Sequence, residues 1–154
     1  MRMLPLASHR SVRAPTRGFS LIELMVAVAI VAILAAIALP SYRRYVLQGN
    51  RTDAIKALAF YQQALERCYS QNFTYVNAGT TPCTSAPGTA TNTTNGDYQL
   101  TFAINASNYV LTATAIGTQA PDTQCAVFTI TQAGVQAAQD TSGNDQTQAC
   151  WGGR

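Results

Sequence analysis

Residues Phe19 to Leu39 read FSLIELMVAVAIVAILAAIAL, a run of 21 residues with a single charge, Glu23. From Leu24 to Leu39 it is apolar without a break. As an α-helix it rises about 1.5 Å per residue to roughly 30 Å, the thickness of a bilayer's hydrocarbon core. A segment that is apolar all round must be covered by lipid or by other helices. Its flanks differ sharply. Residues 1–17 hold Arg2, Arg10, Arg13 and Arg17 and no acidic residue, with Pro5 and Pro15 opposing a continuous helix there. From Phe19 onward six Lys/Arg face seven Asp/Glu, so the net charge of +3 belongs to the leader. Lys and Arg are retained on the cytoplasmic side of a span, and this bias orients the segment. The single histidine, His9, also lies before Gly18. A chain that begins at Phe19 has neither the commonest general base nor the commonest metal ligand, which counts against an enzyme.

Pro40 lacks an N–H donor, and a bend or end of the helix is expected there. Helical periodicity resumes beyond it. Tyr42, Tyr45 and Val46 share one face, and Ile55, Leu58, Ala59, Leu65, Cys68 and Tyr69 continue at three- and four-residue steps. One helix over about 19–70 is predicted, apolar all round at first and amphipathic later. Gly49-Asn50 is a second soft spot.

Residues 71–97 are rich in Thr, Asn, Gly, Pro and Ser and read as a loop. Strand signals follow at Tyr98–Ile104, Tyr109–Ile116 and Cys125–Thr131, and the tail from Ala133 is polar. The fold class expected is α+β, a long N-terminal helix packed on a three- to four-stranded antiparallel sheet. The division expected is a cleaved leader over 1–18, a membrane or filament-core half-helix over 19–40, and the remaining helix plus a globular head over 41–154.

The stretch Arg17-Gly18-Phe19-Ser20-Leu21-Ile22-Glu23-Leu24 resembles the prepilin signature of the type IV pilin family. The resemblance implies cleavage by a membrane peptidase between Gly18 and Phe19, N-methylation of Phe19, and a role for Glu23 in subunit assembly. An ionised carboxylate at bilayer depth costs at least a few kcal/mol, about 3 on insertion scales. The amine freed at Phe19 supplies an opposite charge, which in this family lies on a neighbouring subunit. An ordinary secretory signal is the rival, because Ala36-Ile37-Ala38 looks like a small-residue cleavage site. A Glu early in the apolar core is foreign to such signals.

The head holds Cys68, Cys83, Cys125 and Cys150, for which three pairings exist. Cys68–Cys83 and Cys125–Cys150 are favoured; the second loop resembles the disulfide-bounded C-terminal region of type IV pilins. Disulfides place the head in an oxidising compartment. With no CxxC and no histidine after the leader, zinc is not expected, and neither a metal nor a cofactor is assigned. Asp140 and Asp145 leave a weak calcium site in the tail as an open alternative. The aromatic residues of helix and strands are expected in packing rather than in a binding strip.

The run Pro121-Asp122-Thr123-Gln124-Cys125 and the Cys150-Trp151 ending look like minor pilins of the PilE type. The expected function is that of a structural pilus subunit, made as a single-pass inner-membrane precursor and then assembled into the extracellular filament. The resemblance implies other pilin subunits, the prepilin peptidase and the inner-membrane assembly machinery as partners, and pilus roles such as adhesion and twitching motility. A major pilin, a DNA-uptake receptor and a type II secretion pseudopilin are the alternatives. Beyond Arg67 the only basic residue is Arg154, against four aspartates, so the head is not expected to bind DNA through phosphates.

Overall fold

A computed structural model describes residues 18–76 and 90–152. Most of the leader, Cys83 and Arg154 lie outside the described residues. The chain divides into two compact units, Met1–Pro40 and Ser41–Arg154.

Helix α1, Leu21–Asn72, begins in the first unit and continues into the second. Pro40 lies inside it and does not end it, and the helix also runs on through Gly49 and Asn50. In the first unit no residue of α1 is buried: Leu24, Val28, Val31, Leu34 and Ile37 are all more than half exposed. In the second unit α1 buries Ala54, Leu58, Leu65 and Cys68, with Ile55, Ala57, Tyr61 and Tyr69 packed beside them. The spacing 54–58–65–68 is that of one helix face. Tyr42 and Tyr45, which the periodicity placed on the apolar face, remain 67% and 75% exposed.

The sheet is a five-stranded antiparallel meander of β1 (Ala90–Asn92), β2 (Tyr98–Ile104), β3 (Tyr109–Ala115), β4 (Val127–Thr131) and β5 (Gln136–Gln139), in that spatial order. Sequence patterning indicates three or four strands, and the difference lies at the edges. β1 occupies part of the stretch read as loop, and β5 (QAAQ) lies in the tail read as irregular. Neither is long enough or apolar enough to show period-2 alternation.

The inner face follows from the register. Leu100 pairs with Ala113, Phe102 with Leu111, and Ile104 with Tyr109. Leu111 then pairs with Ile130, Ala113 with Phe128, and Phe128 with Ala138. Tyr98, Leu100, Tyr109, Leu111, Ala113, Phe128, Ile130 and Ala138 are all buried with Leu58 and Leu65 in one core. The other face carries Thr101, Thr112 and Thr129 in a cross-strand row, where β-branched hydroxyl residues suit a wet pleated surface.

Most of the aromatic residues pack, as their phase predicts. Tyr61 meets Phe102 edge-on at 4.9 Å, and Tyr98 and Trp151 each meet Phe128 at 5.8 Å. Phe60 and Phe73 depart from this pattern, being 62% and 82% exposed. Phe73 follows the end of α1 at φ 53° and donates its N–H to the Tyr69 carbonyl at 2.8 Å. It closes the helix in the left-handed conformation that glycine usually supplies.

Candidate functional site: the apolar helix end and the anchored head

Gly18 and Phe19 precede the first turn of α1, and Glu23 lies within that turn. Leu24 N–H donates to the Ser20 carbonyl at 3.1 Å, so the helical bonding begins at Ser20. An acidic residue is favourable here, because unpaired N–H groups give a helix N-terminus partial positive charge. Phe19 is 82% exposed, and Glu23 has no ion-pair partner among the described residues. Within α1, an 18-residue stretch reaches a mean hydropathy of 2.8 with none of it buried. By length and composition it can cross a membrane. So large an unpartnered apolar surface marks a lipid or protein contact.

The head is tied to its part of α1 by a polar cluster that sequence reasoning missed. Arg51 reaches the β3–β4 connection and clasps Asp122 with two bonds, Nε to Oδ2 at 2.6 Å and Nη2 to Oδ1 at 2.8 Å. The two side chains are 13% and 4% exposed. Gln119, fully buried, donates its amide to the Leu47 carbonyl at 3.0 Å and to Asp122 Oδ2 at 2.9 Å. Cys125 N–H donates to Asp122 Oδ1 at 3.4 Å. Asp122 therefore couples α1, the connection and the start of the disulfide loop. The run Pro121–Cys125 stood out in the sequence only by its resemblance to minor pilins, and nothing there indicated which cation would meet Asp122.

A second polar bridge closes the other end of the head. Tyr109 Oη donates to Glu66 Oε1 at 2.8 Å, and Tyr75 Oη reaches the same carboxylate at 3.2 Å. Burial, then the Glu66 carboxylate, pushes the Tyr109 and Tyr75 hydroxyls above their ordinary range. Tyr98, fully buried, is likewise raised, by burial and then by Asp122.

The expected C-terminal pair is formed: Cys125 and Cys150 are bridged, with an S–S distance of 1.98 Å. Cys150 lies in helix α2, Thr147–Trp151. Ala149 and Cys150 line a groove of about 270 Å³ with Tyr45, Gln48, Arg51 and Ile55, so the bridged tail borders α1. Trp151 donates Nε1–H to the Ala137 carbonyl of β5 at 2.9 Å and packs on Phe128. Cys68 lies buried near the end of α1 and is not a free thiol. Its expected partner, Cys83, is outside the described residues.

Asp140 and Asp145 are each engaged by local donors. Asp140 accepts the N–H groups of Ser142 and Asn144 and the Asn144 side-chain amide. Asp145 accepts the Thr147 N–H and hydroxyl. These bonds hold both carboxyls below the usual carboxylate range, Asn144 acting most on Asp140 and Thr147 on Asp145. Among the described residues no three His, Cys, Asp or Glu side chains form a metal-binding group.

Comparison with known proteins agrees with both halves of this arrangement. Residues 40–129 match the family described as "Type IV minor pilin ComP, DNA uptake sequence receptor", and residues 13–39 match the "Prokaryotic N-terminal methylation motif". The fimbrial protein EcpC of Eikenella corrodens is 37% identical over 100 residues, covering 64% of this chain and 61% of that protein. A probable minor fimbrial protein of Dichelobacter nodosus is 38% identical over 66 residues, covering 43% of this chain and 42% of that one. The type IV major pilin protein PilE1 of Neisseria gonorrhoeae is 36% identical over 97 residues, covering 63% of this chain and 42% of the relative. A type IV pilin structure from Shewanella oneidensis matches at a TM-score of 0.42 and 25% identity, over 58% of this chain and 89% of that one. The matched stretch thus spans less than two thirds of these curated relatives' own length.

Proposed function

The chain belongs to the type IV pilins, in the family described as type IV minor pilin ComP, DNA uptake sequence receptor, and from that premise we propose that it is a structural subunit of a type IV pilus, a minor pilin that takes part in pilus assembly. The observation that carries this reading is that one chain joins an apolar helical stretch, Leu21–Leu39, in which no residue is buried, to a disulfide-stapled head. Such a helix exchanges one apolar surrounding for another, lipid in the precursor and neighbouring helices in the filament. Ala27, Ala29, Ala32, Ala35, Ala36 and Ala38 favour the second state, because small residues let helices approach closely.

In this reading a prepilin peptidase cleaves Gly18–Phe19 and Phe19 is N-methylated. Gly18 precedes the helix, and the space around it is open. Cleavage removes four arginines and leaves an amine at Phe19, four residues before Glu23. The Glu23 carboxylate then pairs with the amine of a neighbouring subunit, which offsets its desolvation. A Cys68–Cys83 bridge staples the end of α1. The precursor spans the inner membrane once with its head in the periplasm, and assembly rather than catalysis is its task. Mass spectrometry of the mature N-terminus tests the reading: methylated Phe19 is expected, and a start at Leu39 would overturn it.

The family description also names a DNA uptake receptor, which gives that role standing as a second reading. The charge of this head weighs against it. Past Arg67 the sequence offers only Arg154 to meet phosphates, and Arg51 is already committed to Asp122, so the cations left to the head, Arg43, Arg44, Lys56 and Arg67, all lie on α1 and none on the sheet or its connections. Neutralising several phosphates needs several free cations. A low-salt gel shift separates the two roles, since tight binding of duplex DNA would favour the receptor.

A further inference from the structure

Two residues past Pro40, the head's part of α1 opens with Tyr42, Arg43, Arg44, Tyr45 and Val46. Tyr42 and Tyr45 lie three apart, share a helix face, and are 67% and 75% exposed. Arg43 and Arg44 are exposed as well, and neither forms an ion pair among the described residues. Beside them runs a groove of about 360 Å³, lined by Tyr42, Arg43, Val46, Leu47, Thr118 and Pro121.

This composition is that of a membrane interface. Tyrosine rings are enriched at headgroup depth, with the apolar ring toward the hydrocarbon and the hydroxyl in water. Guanidinium groups bind phosphate with two parallel hydrogen bonds. The position along the chain agrees, because the collar begins three residues after the apolar run ends at Leu39. The sign of the charge is the informative point. Two arginines on the head side of a span run against the bias that keeps Lys and Arg on the cytoplasmic side. The leader's four arginines override that bias while they are attached, but they leave with the leader. Arg43 and Arg44 stay, with no carboxylate paired to them among the described residues.

We propose that Tyr42–Val46 forms an interfacial collar that binds anionic phospholipid headgroups on the head side of the membrane. Arg43 and Arg44 pair with headgroup phosphates, and the rings of Tyr42 and Tyr45 lie at the level of the glycerol backbone. The mature subunit is thereby held at a fixed depth until it enters the filament. This inference rests on the reading of Phe19–Leu39 as a membrane span.

The test uses the full chain reconstituted in phosphatidylcholine vesicles, with spin-labelled phosphatidylglycerol and phosphatidylcholine as probes of the lipid shell. A preference for phosphatidylglycerol is expected, on the order of the fivefold that one basic residue near a charged surface is worth. It should fall several-fold in R43Q/R44Q, persist in R43K/R44K, and shrink in 1 M salt as the charges are screened. The leader's arginines are unchanged in both variants, so the drop reads the collar alone. A chain that washes out of the bilayer in carbonate would overturn the span and the collar together. A chain that stays inserted, with a preference that R43Q/R44Q does not alter, would overturn the collar and leave the pilin reading intact. In that case, lost pilus incorporation in R43Q/R44Q would reassign the surface to a neighbouring subunit, and a lost DNA gel shift would reassign it to DNA.

Discussion

Asp122 shows how much of the head depends on a single carboxylate. It is 4% exposed and accepts from Arg51, Gln119 and Cys125. Removing only the cation leaves a buried anion with two weaker donors, a change that typically costs about 3–5 kcal/mol. Arg51→Met is therefore expected to destabilise the folded head by that amount in urea titrations, and a loss under 1 kcal/mol would show the pair to be dispensable. Phe73 predicts a change of the opposite sign. Its φ of 53° costs an ordinary L-residue about 1 kcal/mol, and its ring, 82% exposed, returns little burial. Phe73→Gly should raise stability by up to about 1 kcal/mol, read as a higher urea midpoint at unchanged slope. The tyrosines set the alkaline limit. Tyr98 and Tyr109 are both raised above the ordinary 10.0 by burial. Below about pH 10 both folded and unfolded chains keep these protons, and the contribution is complete. Above it the unfolded chain loses them first, so stability falls as pH rises. Urea midpoints should hold level to about pH 10 and then decline, and the part of the 295 nm tyrosinate absorbance that Y98F/Y109F removes should appear only on unfolding. A level midpoint to about pH 11.5 would contradict this.

Among the elements, α1 has two faces to its chemistry, and each was legible to a different degree. Its existence and its long apolar half follow from composition, and Leu58, Leu65 and Cys68 follow from the three-to-four step. Tyr42 and Tyr45 obey the same step and yet stay exposed, because periodicity shows which residues share a face and not whether anything covers it. β2, β3 and β4 alternate over 7, 7 and 5 residues and could be read directly. β1 and β5, at 3 and 4 residues, owe their pairing to the strands beside them and carried no readable signal. The Arg51–Asp122 clasp was hidden for another reason: its partners are 71 residues apart, and only the fold brings them together. Glu23 was the most legible residue of the assembly end, since a lone charge in an apolar run needs an explanation. In the proposed pairing, Glu23→Ala removes a desolvation cost and a partner at once. Membrane insertion of the precursor should be unchanged or stronger, while the subunit's share of sheared pili, counted by quantitative mass spectrometry, should fall at least tenfold. Equal incorporation would remove the charge-pairing account.

At the scale of the whole molecule, two very different kinds of cohesion share one chain. Among the described residues of the first unit, 18–40, none is buried, so lipid or other subunits must supply their surroundings. The head has a core, but it is one sheet face against half a helix, closed at the edges by short strands and a five-residue helix. A structure so thin at its C-terminal edge gains from a covalent tie. The Cys125–Cys150 bridge closes a separation of 25 residues, and chain-entropy arguments give such a loop about 3 kcal/mol of stabilisation. Trp151 and α2 lie within or directly beside this loop, and β5 is enclosed by it. C125S/C150S should therefore lower the head's stability by about 3 kcal/mol, with the loss concentrated in β5 and α2. Amide exchange of the full-length protein in detergent checks the localisation. Faster exchange is expected at Ala138 and Cys150, whose N–H groups bond to Thr147 Oγ1 and the Gln146 carbonyl, while β2 and β3 keep their protection. Uniform acceleration across the sheet would mean instead that the bridge supports the whole head, and that its C-terminal edge has no separate unfolding of its own.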